Sequence, residues 1–183
     1  MILAMDVASS TGTCVGPVGT TPRIQTFDLN PPGPDPEGQA RLQAVYDLTI
    51  RLIRQHNVQR IAVEEPIVNL TARTNGKRTE NKRTPFLLIG LVGCVKAAAY
   101  TFNVPVRLHT PIAARRHFIG PKNANKPRDV AKAMVQHRCD QLGWRWDTDD
   151  GADAAAVWDL ECNQRDPGAI RARASSRSAS WTK

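Results

Sequence analysis

Cysteine is scarce in this sequence, and no two cysteines are close together. The four of them, Cys14, Cys94, Cys139 and Cys162, form no C-x-x-C pair. This spacing excludes the usual zinc-binding patterns and the disulfide framework of a small secreted protein. We therefore expect reduced, mostly buried thiols, as in a cytosolic protein.

Long apolar runs are missing as well. The most apolar stretch, residues 86–100, is shorter than the roughly 20 residues that span a bilayer, and it contains Lys96. The first residues lack a basic region followed by a long apolar run, so we predict no signal peptide. These absences favour a cytoplasmic protein without a membrane partner.

Acidic residues are outnumbered by basic ones. The chain has 17 Asp and Glu against 25 Lys and Arg, which gives a net charge of +8. A basic balance of this size favours a polyanionic partner, most often nucleic acid, although charge alone does not exclude a protein that is merely basic.

At 183 residues the chain is long enough for one domain with a real core. We predict that residues 1–163 form this domain and that residues 164–183, rich in Arg and Ser, form a disordered basic tail.

The order of the predicted elements indicates an α/β fold. Three short strands, at residues 2–7, 13–16 and 23–29, are followed by a helix at 39–55, a strand at 60–63, a helix at 85–101 and a strand at 104–108. Thr110 caps a short helix, and two further helices follow at 127–142 and 150–163, the first burying Val130, Met134 and His137. We predict a five-stranded mixed sheet, with three antiparallel strands and then parallel strands, flanked by helices. The helix at 85–101 is apolar over a wide arc, which is typical of either a core helix or a dimer face.

Four acidic residues stand at or near the ends of predicted strands and of the last helix. Asp6 ends an apolar strand, where burying a charge is costly unless it is paired or binds a metal. Glu64 ends the strand at 60–63, the end at which open α/β sheets place their ligands. Asp150 and Asp153 are three residues apart, which puts both on one face of the first turn of the last helix. Simpler interpretations remain: Asp6 pairs with a buried Arg, Glu65 takes the role of Glu64, or Asp149 or Asp150 only caps the helix.

These acids can meet at one place if the first and fourth strands are neighbours in the sheet. Four carboxylates together repel one another and require cations. Oxygen ligands of this kind suit Mg²⁺ or Mn²⁺. Two such ions, about 4 Å apart, activate a water and stabilise the leaving oxygen in phosphodiester hydrolysis.

The pattern resembles the RuvC family of Holliday-junction resolvases, within the RNase H-like superfamily. Asp6 after an apolar strand, Glu64 at the end of Ile-Ala-Val-Glu, and the pair in Asp-Gly-Ala-Asp-Ala are similar to the family's acidic motifs, and the resemblance covers most of residues 1–162. It implies a homodimer that binds a four-way DNA junction and nicks two opposed strands with a metal-bound water. Lys126 is similar to a basic residue that the family uses near the scissile phosphate, and Arg115 stands where the family usually has a lysine. We predict DNA contacts from the basic residues of the polar segment 69–84, taken as a mobile loop or a phosphate-gripping arm, and from those of the short helix after Thr110 and the polar loop that follows it: Arg73, Lys77, Arg78, Lys82, Arg83, Arg115, Arg116 and Lys122.

The sequence also departs from the family pattern. Asp6 is followed by Val7 and Ala8 instead of Pro-Gly, and Pro66 and Ile67 stand where an aromatic residue commonly inserts into the junction. These departures favour a divergent, phage-encoded member that acts at the nucleoid of a bacterial host and has a broader preference for branched DNA. Three alternatives remain: an RNase H-like nuclease for RNA–DNA hybrids or flaps, a catalytically idle branched-DNA-binding protein, and an actin- or sugar-kinase-type ATPase, for which the chain is too short.

Overall fold

A mixed five-stranded sheet forms the centre of the molecule. The computed structural model describes residues 1–67, 71–74, 77–80 and 83–169, of which 71–74, 77–80, 83 and 84 are described by their backbone alone. The strands are β1 (Ile2–Asp6), β2 (Ser10–Gly16), β3 (Arg23–Asp28), β4 (Arg60–Glu64), β5 (Thr71–Thr74), β6 (Lys77–Glu80) and β7 (Val106–His109). The central sheet has the order β3-β2-β1-β4-β7, with β1 to β3 antiparallel and β4 and β7 parallel to β1. The predicted architecture is thus confirmed.

Helices cover both faces of this sheet. Strand alternation sends Leu3 and Met5 of β1 to one face and Ala4 to the other, so each face has its own apolar core. One core contains residues of α1 and α2, and the other contains residues of α3, α4 and α5. The five helices are α1 (Gln39–His56), α2 (Arg83–Thr101), α3 (Pro111–Phe118), α4 (Arg128–Gln141) and α5 (Asp149–Arg165).

Helix α5 is the most deeply buried of these helices, since every residue from 151 to 162 is buried. Its small residues Ala152, Ala154, Ala155 and Ala156 let the helix axis approach the sheet closely. The indole Nε1 of Trp158 donates to the carbonyl of Ile2 at 3.2 Å, which fixes the far end of the helix at the start of β1. The first turn of α5 therefore lies over the opposite end of β1, where Asp6 is found.

Two buried acids of α5 have structural partners. Glu161 accepts a hydrogen bond at 2.8 Å from His109 of β7, and Asp159 lies 3.0 Å from Nε2 of His117 in α3. Each pair gives a buried carboxylate one partner and attaches α5 to the sheet or to α3. The other oxygen of Glu161 lies 3.5 Å from Arg60 Nε and accepts no hydrogen bond among the described residues. These two acids are distinct from the acids at the first turn of the helix.

The structure corrects four details of the sequence prediction. The segment predicted as a mobile loop contains the antiparallel hairpin β5–β6, and β2 starts at Ser10, three residues before the strand predicted at 13–16. Helix α4 buries Ala131, Val135 and Cys139 instead of Val130, Met134 and His137. Thr148, and neither aspartate, caps α5 by accepting from Gly151 N.

Two further predictions concern the domain boundary and the absence of a membrane-spanning segment. Helix α5 runs to Arg165, two residues past the predicted boundary of the domain, and residues 170–183 of the predicted tail lie outside the described residues. Within the described ranges, no helix is long and apolar enough to span a membrane.

Candidate active site

The carboxyl ends of β1 and β4 place Asp6 and Glu64 side by side. These strands are parallel neighbours, and Ala4 pairs with Ala62. Asp6 and Glu64 each follow that pair by two residues, so both side chains point to the face that α5 covers. The register of one parallel pair thus joins two acids that are 58 residues apart in the sequence.

The first turn of α5 brings the other two acids to the same place. Thr148 caps the helix through a 3.3 Å hydrogen bond from Gly151 N, so that Asp150 lies in the first turn and Asp153 in the second. A cleft of about 400 Å³ opens here. The four predicted acids all line it, together with three basic residues: Asp6, Glu64, Asp150, Asp153, Arg115, Arg128 and Lys132.

Electrostatics confirm that the acids of the cleft act on one another. Burial and the carboxylates of Asp153 and Asp150 raise the pKa of Asp6 to about 7. Burial and the charges of Asp6 and Asp153 raise the pKa of Glu64 to about 9. Burial also raises the pKa of Asp153, against the opposing effects of Arg115 and Lys132. Ionising all of these carboxylates together is therefore unfavourable unless further cations are present.

Lys132 is a residue of this site that the sequence analysis missed. Its Nζ donates to Asp149 Oδ2 and lies 3.9 Å from carboxylate oxygens of both Asp150 and Asp153. Arg115 approaches Asp153 from α3, with 3.7 Å between Nη2 and Oδ2. The correct phase of α4 would have revealed Lys132, because it borders the buried face and lies one turn after Arg128.

The donor set of the cleft fits Mg²⁺ or Mn²⁺ by its chemistry, since carboxylate oxygens are the ligands these ions prefer. Burial and the neighbouring carboxylates raise the pKa of Asp6 and of Glu64, and the charges of Lys132 and Arg115 offset these effects only in part. In this conformation, no three Asp, Glu, His or Cys side chains of the described residues are grouped closely enough to hold an ion. Binding an ion thus requires the carboxylates to close up or the basic side chains to withdraw.

The other predicted residues lie in several places. Lys126, Arg116 and Lys122 are exposed, and the cleft lining does not include them. Arg73 and Lys77 lie in the β5–β6 hairpin, where Arg73 pairs with Arg78 through the backbone. The side chains of Arg73, Lys77, Arg78 and Arg83, and all of Lys82, lie outside the described residues.

The raised pKa of Glu64 predicts an unusual dependence of stability on pH. The pKa of Glu64 is 4.5 in the unfolded chain and is raised to about 9 in the folded chain. Between these two pH values the folded chain binds the extra proton, so stability falls as pH rises. Glu64→Gln removes this contribution. Without divalent ions, we expect the variant at pH 9 to melt about 3–6 °C above the unmodified protein, which corresponds to about 1.5 kcal/mol in a domain of this size.

Thermal melting in a chelator from pH 5 to pH 9 measures this effect. The difference between the two proteins is expected to shrink toward pH 5, because the fall in stability takes place almost wholly between that pH and the folded pKa of about 9. A difference in melting temperature that stays constant from pH 5 to pH 9 would show that Glu64 does not cause the pH-dependent loss of stability. Glu37→Gln, at an exposed residue outside the cleft lining, is the matched control.

Comparisons with known proteins place this geometry in context. No protein-family model matches the sequence, and no curated protein matches it. Solved structures do match. Thermus thermophilus RuvC in complex with a Holliday junction substrate has a TM-score of 0.64 at 17% identity, covering 92% of this chain and 96% of that one. A second Thermus thermophilus RuvC structure gives 0.61 at 18% identity, with 90% and 95% covered.

A eukaryotic structure gives the same result. The yeast mitochondrial Holliday junction resolvase matches with a TM-score of 0.62 at 11% identity, covering 97% of this chain and 85% of that one. At such low identity the match concerns the fold, which extends over nearly the whole of each chain. The resemblance that the acidic motifs indicated is therefore confirmed at the level of the fold: this chain has the RNase H-like α/β fold in the form found in RuvC-type Holliday junction resolvases.

Proposed function

We propose that this protein is a metal-dependent endonuclease that nicks branched DNA and resolves four-way junctions by paired phosphodiester hydrolysis. The observation that carries the proposal is the cleft in which Asp6, Glu64, Asp150 and Asp153 converge at the end of the sheet. A RuvC with the same fold is known in complex with a Holliday junction. The net charge of +8 suits a DNA partner.

In this proposal the four acids hold Mg²⁺ or Mn²⁺, with two ions in each active site. Bound ions of this kind lower the pKa of a water and neutralise the charge that develops on the leaving oxygen. Without an ion, Glu64 holds a proton at neutral pH and Asp6 is about half protonated. Both groups release their protons when they act as ligands, so ion binding strengthens as pH rises.

The basic residues of the cleft would receive the DNA backbone. Arg115, Arg128 and Lys132 line it together with the acids, and the buried Nε of Arg115 has no hydrogen-bond partner among the described residues. We propose that Lys132 acts beside the scissile phosphate, where a fixed positive charge stabilises the transition state. Lys126, Arg116 and Lys122, which are exposed, are proposed to contact phosphates farther along the strands.

A cleavage assay with a panel of substrates tests this function. Labelled four-way junction, flap, duplex and RNA–DNA hybrid are each incubated with the protein in Mg²⁺, in Mn²⁺ and in chelator. We expect two symmetric nicks in the junction, dependent on the metal. Faster cleavage of the hybrid or the flap than of the junction would assign the protein to another substrate class. Junction binding without cleavage in either metal would show that the protein binds branched DNA but is not a nuclease.

Paired nicking requires two active sites, and we propose that α2 forms the interface of a twofold dimer. Phe86, Ile89 and Tyr100 on its outer face are 63%, 47% and 83% exposed, an unusual amount for large apolar side chains. Gly93 lies on the same face, seven residues from both Phe86 and Tyr100. An antiparallel pair of α2 helices crossing at Gly93 would place Phe86 of one subunit beside the partner's Tyr100.

Gly93→Leu tests this interface with little effect on the subunit itself. A Cβ at position 93 meets no atom within 4 Å, and a glycine inside a helix costs about 1 kcal/mol relative to better helix formers, so the subunit should not lose stability. We expect the dimer dissociation constant to rise at least about tenfold, because a side chain at the crossing separates the helices.

Analytical ultracentrifugation measures the association, and a cruciform plasmid shows whether the two nicks remain paired. Gly33→Leu, at a position that also has open space around it, serves as the control. A Gly93→Leu protein that stays dimeric would place the interface elsewhere.

A further inference from the structure

The loop before α5 is tied to strand β3 by a chain of hydrogen bonds. Asp147 Oδ2 accepts from the backbone N–H of Thr26 at 2.7 Å, and Oδ1 accepts from the Thr26 hydroxyl at 2.7 Å and from Thr148 N at 2.8 Å. The Thr148 hydroxyl lies 2.6 Å from that of Thr26. Because the single proton of the Thr26 hydroxyl goes to Asp147, the Thr148 hydroxyl is the donor in this contact.

This chain ends on the helix that carries two of the four cleft acids. Thr148 Oγ1 accepts from Gly151 N and so caps α5 without any help from Asp147. Asp147 is therefore not needed to satisfy the end of the helix. Its bonds instead connect the cap to a strand that is 121 residues away in the sequence.

Two glycines show how closely the first turn of α5 lies on the strands. A Cβ added to Gly12 would overlap the carbonyl oxygen of Asp150, and Gly12 is the β2 residue that pairs with Asp6. A Cβ added to Gly151 would lie 2.7 Å from Asp147 Oδ1 and 3.1 Å from Thr26 Oγ1. The helix start thus has little freedom to move toward the sheet, and the hydrogen bonds prevent it from moving away.

The carboxylate that makes these bonds is ionised and exposed. Partial burial opposes ionisation, but the hydrogen bonds from Thr26 and Thr148 hold the pKa of Asp147 below its usual range. Hydrogen bonds to a charged acceptor are stronger than those to a neutral one. Because Asp147 is exposed, its removal leaves both apolar cores intact.

We propose that Asp147 and Thr26 are positioning residues, which hold the first turn of α5 at the distance from β1 that lets Asp150 and Asp153 share divalent cations with Asp6 and Glu64. This inference rests on the proposed function, because it takes the four cleft acids as the cation ligands. Partners that orient ligands from outside typically change metal affinity by about 10- to 100-fold. Asp147 is exposed and its bonds join only the helix start and β3, so the effect on stability should be small.

The test compares Mn²⁺ binding with folding in the full-length protein. Asp147→Ala and Thr26→Val are titrated with Mn²⁺ by calorimetry at pH 8, without DNA, and are melted in chelator. Thr26→Val keeps the branched shape of the side chain and the backbone donor, so it folds even where a larger disruption would not. Asp28→Ala is the matched control, since Asp28 is on the same strand and accepts both its hydrogen bonds from Asn30.

We expect the Mn²⁺ dissociation constant to rise about tenfold in Asp147→Ala and severalfold in Thr26→Val. Asp147→Asn should recover part of the affinity because it retains an acceptor for the Thr26 hydroxyl. The control should bind as the unmodified protein does. Unchanged Mn²⁺ affinity in both variants, whatever their melting temperatures, would overturn the positioning role. A lack of Mn²⁺ binding by the unmodified protein would instead refute the proposed function, and this inference with it.

Discussion

Asp153→Asn is expected to abolish nicking of a four-way junction, with a loss of about 10³-fold or more, because Asp153 is a ligand of the divalent ions in the proposed function. Asp153 is buried in the cleft between Arg115 and Lys132. The amide keeps the shape of the side chain but lacks its charge. Junction affinity in chelator should stay the same or increase, because the substitution removes negative charge from a surface that receives phosphates.

Single-turnover cleavage and a binding titration on the same junction separate these two effects. Asp166→Asn, at the other end of α5, is the control and should retain full activity; Asp166 accepts only from Ala169 N among its described contacts. Cleavage by Asp153→Asn at more than a tenth of the normal rate would show that this carboxylate is not a ligand. Loss of binding along with cleavage would point to misfolding and would leave the assignment without support.

Lys132→Met is expected to reduce cleavage by about 10²- to 10³-fold, the usual effect of losing one charged group that stabilises a transition state. Burial alone would lower the pKa of Lys132, but contact with Asp149 and the other acids raises it, so the side chain is charged at neutral pH. Lys126→Met is the matched comparison. Because Lys126 is exposed and outside the cleft lining, its loss should weaken junction binding only a fewfold.

The two lysine variants together decide which lysine acts beside the scissile phosphate. The sequence resemblance points to Lys126 as the basic residue near the scissile phosphate, whereas the geometry points to Lys132. Rates measured at saturating junction and metal would settle it. A large loss in Lys126→Met together with near-normal cleavage by Lys132→Met would restore the assignment made from the sequence.

The sheet and the four acids could be predicted because local patterns determine them. Short apolar strands with Asp6 and Glu64 at their ends fix the face and the edge of the sheet on which those side chains lie. The spacing of Asp150 and Asp153 fixes their common direction on a helix. Only the assumption that β1 and β4 are neighbours is non-local, and the sheet order confirms it.

The features that the sequence did not predict depend on long-range packing or on weak local signals. Lys132 was missed because apolar residues at Val130 and Met134 suggest the wrong buried face for α4; those residues face outward, and the smaller Ala131 and Cys139 face the core. Thr148 and Asp147 acquire their importance from Thr26, more than 120 residues away. The β5–β6 hairpin had a local signal that was overlooked, since Asn75 and Gly76 form the commonest two-residue hairpin sequence.

Anomalous diffraction from crystals grown with Mn²⁺ tests the central claim most directly. If the acids of β1, β4 and α5 form one cation site, the difference map will show peaks between Asp6, Glu64, Asp150 and Asp153, with Lys132 displaced from its present contacts. The peaks should vanish in crystals of Asp153→Asn. A map with no peak in the cleft, from a protein that still cleaves junctions in Mn²⁺, would contradict the account.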